Sequence, residues 1–280
     1  MKRRKLEPTI HTKLDRESDY TGYLRLDRLL DAQVPLSDPP HHDEMLFIVQ
    51  HQVTELWIKL VIHEIEAAMA KLRADDLPPA VKMLARVKHI QNQMYNQWMV
   101  LDTLTPSEYA QFRKVFGRAS GFQSPQYRLL EFLLGNRNRS VLKVYEQQPE
   151  WHARLEQALE ERGLFDEFLA HLARAGLPVP KQVLERDFSR VRGENDEVVA
   201  VLKSIYEQPR TQWGHYEMCE ALVDIANNFQ FWRFHHMKTV ERIIGHKRGT
   251  GGSSGVQFLR RALEYEFFPE LIRVRTELAD

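Results

Sequence analysis

The chain has 280 residues, is 43% hydrophobic and 28% charged, and its 39 Lys and Arg balance its 39 Asp and Glu. A neutral chain of this length can bury one large core or two modest ones, and it lacks the bulk positive charge that nucleic-acid binding draws on. The single cysteine, Cys219, excludes an internal disulfide framework and zinc sites built from four cysteines or from two cysteines and two histidines, and it fits a reducing, cytoplasmic setting.

Helical periodicity dominates and strand-like alternation is scarce. The basic run Lys2 to Lys5 reads as a solvated tail, part of an N-terminal tail over residues 1–19. Tyr20 to Gln33 reads as a first helix, weakened at its start by Gly22. The turn-rich SDPPHHD follows, and then Met45 to Leu72 forms a long, very apolar helix. Pro78 and Pro79 open the next helix, expected to run to about Val100. TPSE at Thr105 to Glu108 is a capping box with proline at the first helical position. SPQYRLLEFLLG, Ser124 to Gly135, carries a cap, a proline and a closing glycine. Residues 149–206 hold shorter, more polar helical pieces, and the stretch at about 140–206 reads as a helical excursion from a single domain over residues 20–280. One very long helix is expected from about Thr211 to His246, then the glycine loop KRGTGGSSG, then a last helical segment, VQFLRRALEYEFF. The expected fold is all-α, a bundle of long helices with a smaller helical insertion. No apolar run is expected to span a bilayer, and no signal-peptide pattern is found.

Two histidines stand side by side in FWRFHHMKTVERIIG. Neighbours on a helix point about 100° apart, so one face cannot centre both. His236 aligns with Phe229, Trp232, Val240 and Ile243, an apolar stripe; His235 aligns with Asn228, Phe231, Thr239 and Arg242, a mixed one. His236 is therefore expected in the core and His235 towards its edge. His51 repeats the pattern, one turn after Phe47 on a face continued by Thr54, Ile58 and Ile62. A core histidine either hydrogen-bonds to a structural partner or ligates a metal or haem iron through neutral imidazole; periodicity leaves both open.

The other metal chemistries are narrower. HExxH, paired ExxH and CxxCH are all absent. HHDE at His41 to Glu44 is dense in ligand types, but it lies in a proline turn and reads as a solvated helix start, with Asp43 and Glu44 facing the helix dipole. KRGTGGSSG fails both phosphate-loop patterns and follows a helix, so nucleotide binding is not expected. Its backbone amides and the hydroxyls of Thr250, Ser253 and Ser254 could still hold an anion such as a carboxylate, or the loop is a linker.

The blocks HDEMLFIVQHQVTELWIKLVIHE, SGFQSPQYRLLEFLLG and FWRFHHMKTVERIIGHKRGTGGSSGVQFLRRAL, in that order, resemble the tryptophan 2,3-dioxygenases. The likeness runs from about Tyr20 to the C-terminus and is weakest at residues 140–205. It implies a non-covalent haem b, one per subunit and ferrous when active, with L-tryptophan and O2 as substrates and N-formyl-L-kynurenine as product. It implies His236 as the axial ligand of the haem iron, His51 as the histidine that meets the substrate indole, and Phe47 as a pocket aromatic. Tyr109 and Arg113 match the pocket tyrosine and the carboxylate-binding arginine, four apart on one helix face. Thr250 matches the loop threonine that meets the amino-acid end of the substrate, while Trp98 and Ser120 match haem-pocket positions. Tyr20, Tyr23 and Leu24 resemble an arm that completes a neighbouring subunit's pocket, which implies a homotetramer, with no nucleic-acid or membrane partner. Two other classes fit the same helices: a related haem protein such as an indoleamine-type dioxygenase or a non-catalytic sensor, and a purely structural bundle whose histidines are satisfied core residues.

Overall fold

A computed structural model describes residues 5–14 and 19–278. Most of the basic tail, residues 1–4, lies outside the described residues. Among the described residues all regular structure is helical, as expected. In chain order the α-helices are α1 (Tyr20–Tyr23), α2 (Leu26–Leu29), α3 (His42–Arg73), α4 (Leu77–Asn96), α5 (Trp98–Leu101), α6 (Pro106–Phe112), α7 (Pro125–Leu133), α8 (Pro149–Glu160), α9 (Leu164–Arg174), α10 (Lys181–Leu184), α11 (Asp196–Glu207), α12 (Trp213–Ile244), α13 (Val256–Ala262) and α14 (Pro269–Glu277). Short 3-10 turns cover Arg113–Phe116, Gly121–Gln123 and Arg139–Tyr145.

The two 32-residue helices, α3 and α12, frame the molecule. On α3 the residues Ile58, Val61, Ile62, Ile65, Met69 and Leu72 form one buried stripe, and on α12 the stripe is Met218, Leu222, Ile225, Phe229 and Trp232. Burying each such aliphatic side chain contributes about 1.5–3 kcal/mol, so these faces set how the helices pack. The helix α4 lies along both α3 and α12, and α5 and α6 each touch both. The two long helices make no contact of that extent with each other, because α4 and the short elements lie between them.

Several expectations need correction. The first helix is two four-residue turns, because Arg25 adopts a left-handed conformation (φ 52°) that a continuous helix cannot contain. The helix expected to reach Val100 is interrupted at Gln97, which separates α4 from α5. The start of α3 is not solvated at Glu44. That side chain is 1% exposed, and its carboxylate accepts the backbone N–H groups of Leu36 and Ser37 and the Ser37 hydroxyl. The last segment stops at Ala262, and Pro269 opens a further helix, α14, at a position suited to proline. By length and composition α3 is apolar enough to cross a membrane, contrary to expectation; here its buried stripe packs on α4, α7 and α9.

The polar look of residues 149–206 does not carry over to α9, where every residue from Leu164 to Leu172 is buried. Its charges are buried with partners: Glu167 pairs with Arg73, and Asp166 with Arg137 and Arg186. Paired carboxylates can enter a core that would reject lone ones, so the helix joins the interior through α3.

Candidate functional site

The helices α3 and α12 each bring one histidine to the same neighbourhood, with His51 close enough to influence the charge of His236. On α3, the ring of His51 lies 4.1 Å from that of Phe47, and its Nδ1 sits 2.7 Å from the Phe47 carbonyl oxygen. A carbonyl only accepts, so Nδ1 carries the proton and Nε2 is left with a lone pair. Burial pushes the His51 pKa below the ordinary histidine value, which keeps this neutral tautomer.

Around His51 stands an aromatic wall. Phe47 stacks on Phe116 at 4.5 Å and 20°, and Tyr109 lies within 6.0 Å of Phe47, Phe112 and Phe116, centroid to centroid. The capping box closes as expected, with the Thr105 hydroxyl accepting the Glu108 N–H and the Glu108 carboxylate accepting the Thr105 N–H. The helix α6 then tightens into a 3-10 turn, and the Arg113 N–H donates to the Tyr109 carbonyl. Tyr109 and Arg113 thus stay one turn apart across that boundary. Burial raises the Tyr109 pKa, keeping the phenol protonated. Phe116 was missed in the sequence, yet Tyr109, Phe112 and Phe116 recur at spacings of three and four, the signal that marks them.

The glycine loop lies over this wall. Arg113 Nη2 donates to the Arg248 carbonyl at 2.5 Å, and the Thr250 hydroxyl donates to the Ala119 carbonyl at 2.5 Å. A Cβ on Gly251 would fall 2.5 Å from the Ser120 Cβ, so only glycine permits the loop this close to Ser120. Gly255 (φ +65°) has its α-hydrogens toward the Lys247 carbonyl, 2.4 Å from an added Cβ, which folds the loop back on itself.

On α12, His236 stacks on Trp98 at 4.7 Å and 10°, with Trp232 at 5.7 Å. Among the described residues its imidazole makes no hydrogen bond, and burial, with a smaller effect of nearby His51, lowers its pKa to about 4. His235 points elsewhere, its Nε2–H donating to Asp102 at 2.9 Å. The two therefore point in different directions, as the spacing implies, although both are half-buried and His236 is not fully in the core. Tyr20, Tyr23 and Leu24 are not gathered here: they are 75%, 81% and 40% exposed.

Among the described residues His236 offers one uncommitted imidazole, a donor set that fits a prosthetic group bringing its own remaining ligands. Among the described residues no three histidine, cysteine or carboxylate side chains converge to hold a bare metal ion. An iron bound only by His236 needs the rest of its coordination from a non-protein group such as a porphyrin. The indole N–H groups of Trp98 and Trp232, buried beside His236, have no acceptor among the described residues.

Fold and site together define an all-helical protein with a histidine from each of its two longest helices and an aromatic wall beside one of them. The sequence model described as tryptophan 2,3-dioxygenase matches residues 8–177 and 196–278. Proteins named tryptophan 2,3-dioxygenase from Serratia proteamaculans, Arthrobacter sp. and Kineococcus radiotolerans are 54%, 55% and 56% identical over 278, 275 and 275 residues, covering 99%, 98% and 98% of this chain and 99%, 97% and 96% of theirs. The chain belongs to the tryptophan 2,3-dioxygenase family.

Proposed function

We propose that this chain is a haem-dependent dioxygenase that cleaves the indole C2–C3 bond of L-tryptophan with O2, giving N-formyl-L-kynurenine, the first step of tryptophan catabolism by the kynurenine pathway. The observation that carries this reading is two neutral histidines in different settings: His236 among tryptophans, with no hydrogen-bond partner among the described residues, and His51 beside an aromatic wall that also carries an arginine. A non-covalent haem b, one per subunit and ferrous when active, would be held through His236, with Trp98 and Ser120 in its pocket. When bound, it supplies the redox chemistry with O2.

The chain's own groups then bind and orient the substrate. Phe47, Tyr109 and Phe116 enclose the indole, and the lone pair on His51 Nε2 accepts the indole N–H. Arg113 has donors beyond the one given to Arg248, and its planar fork suits a carboxylate. The Thr250 hydroxyl has committed its proton to Ala119, so its oxygen remains an acceptor, which suits the substrate ammonium. Tyr20, Tyr23 and Leu24 complete the pocket of a neighbouring subunit in a homotetramer, and the enzyme works in the cytoplasm.

The test is reconstitution with haem, reduction, and reaction with L-tryptophan under isotopically labelled O2. The expected product is N-formyl-L-kynurenine carrying both labelled oxygens. A haem-loaded protein that binds tryptophan but never forms this product would make the chain a sensor instead.

A further inference from the structure

The short segment from Gln97 to Asp102 reaches both histidine-bearing helices. At one end the Gln97 side-chain amide donates to the Thr54 hydroxyl on α3 at 2.6 Å, and that hydroxyl donates in turn to the Gln50 carbonyl. At the other end Asp102 meets α12 with both carboxylate oxygens: one accepts His235 Nε2–H at 2.9 Å, the other accepts the Thr239 hydroxyl at 2.6 Å. His235 and Thr239 are four apart, so they occupy one edge of the helix, a single turn that spans the position of His236. The Asp102 N–H donates to the Trp98 carbonyl at 2.8 Å. Asp102 and Trp98 are therefore joined as one rigid turn, and Trp98 is the ring on which His236 stacks.

A helix turn held by two bonds to one carboxylate cannot rotate about its axis without breaking one of them. Rotation is the motion that would swing His236 off Trp98 and change the direction of its imidazole. Charge-assisted bonds of this kind are the stronger class of hydrogen bond, and Thr239 is 1% exposed, so water does not readily replace its half of the grip. The pairing also gives His235 a role, since its Nε2 is turned onto the grip.

We propose that Asp102 is a positioning residue for His236: by gripping His235 and Thr239 it fixes the azimuth of that turn of α12, and with it the direction from which the His236 imidazole meets the haem iron. This rests on the reading of His236 as the iron ligand. Positioning of this kind alters the metal–ligand bond more than it alters whether the metal binds.

The experiment uses the full-length haem-loaded protein, reduced and free of substrate, and reads the iron–histidine stretching vibration by resonance Raman spectroscopy. His236→Ala tests the underlying assignment: loss of that vibration supports it, and its persistence overturns the reading of the site. Asp102→Ala should shift and broaden the vibration while haem stays bound and the far-ultraviolet helix signal is unchanged. Asp102→Asn should largely restore it, because an amide can still accept from Thr239 and donate to the other tautomer of His235. Thr239→Val, close in shape to threonine, removes half the grip and should give a smaller shift; it keeps the test alive if Asp102→Ala does not fold. An unshifted vibration in Asp102→Ala, or in Thr239→Val when only that variant folds, would overturn the proposal. Equal shifts in the Ala and Asn variants would also overturn it, since the effect would then come from charge and not from geometry.

Discussion

His51→Ala separates two roles for the α3 histidine. In the structure its Nδ1–H is committed to the Phe47 carbonyl at 2.7 Å, so Nε2 can accept one hydrogen bond from a substrate indole. A neutral hydrogen bond contributes about 0.5–1.5 kcal/mol net. The substitution also removes a ring that packs at 4.1 Å on Phe47, and an aromatic contact contributes about 0.5–1.5 kcal/mol more. Together these give about 1–3 kcal/mol, or about a 5- to 150-fold fall in kcat/KM. An obligate general base would cost about 10²–10⁴-fold in the chemical step alone. Where those ranges meet, a second substrate decides. N1-methyl-L-tryptophan has no indole N–H to abstract, so the unsubstituted protein should still turn it over at lower kcat/KM if His51 only orients, and not at all if His51 is an obligate base; the preference for L-tryptophan should then collapse in His51→Ala. Steady-state kinetics with both substrates, on protein whose haem spectrum is intact, is the assay. Loss of more than about 10³-fold in kcat with haem in place would refute the orienting role, as would a preference that the substitution leaves unchanged.

Three further outcomes follow from the same geometry. Arg113→Lys should lower kcat/KM for L-tryptophan by the equivalent of about 2–5 kcal/mol and erode discrimination against tryptamine, with the haem spectrum unmoved; an unaltered ratio between the two substrates would place the carboxylate site elsewhere. Deleting residues 1–24 should sharply raise KM for tryptophan with haem still bound, because Tyr20 and Tyr23 are 75% and 81% exposed on their own chain; unchanged kinetics would mean the arm builds no pocket. Burial alone would raise the Glu44 pKa, but the bonds from Leu36 and Ser37 outweigh it and hold it below the ordinary 4.5. A depressed carboxyl pKa contributes stability that is present above the unfolded value and lost as pH falls through the folded one, so Glu44→Gln should lower Tm near neutrality and flatten the acid limb of Tm below about pH 4.5; a parallel limb in both proteins would refute it.

Periodicity alone was enough to separate His236 from His235, because residues one apart on a helix face directions about 100° apart and only one of the two stripes is apolar. Local chemistry likewise marked the capping box at Thr105 and the glycine-dependent loop before α13, where backbone conformation depends on the few residues involved. Tertiary structure decided what local rules do not reach. Whether Glu44 meets water or the amides of Leu36 and Ser37 depends on the path of the chain before α3. Whether α9 can bury Asp166 and Glu167 depends on arginines far away in sequence, at Arg73, Arg137 and Arg186. The tautomer of His51 could be read only once its distance to the Phe47 carbonyl was known, and the grip of Asp102 on α12 joins positions separated by 133 and 137 residues. Helical spacing is a property of neighbours along the chain, whereas the partner of a buried polar group is chosen by packing, and packing is decided by the whole fold.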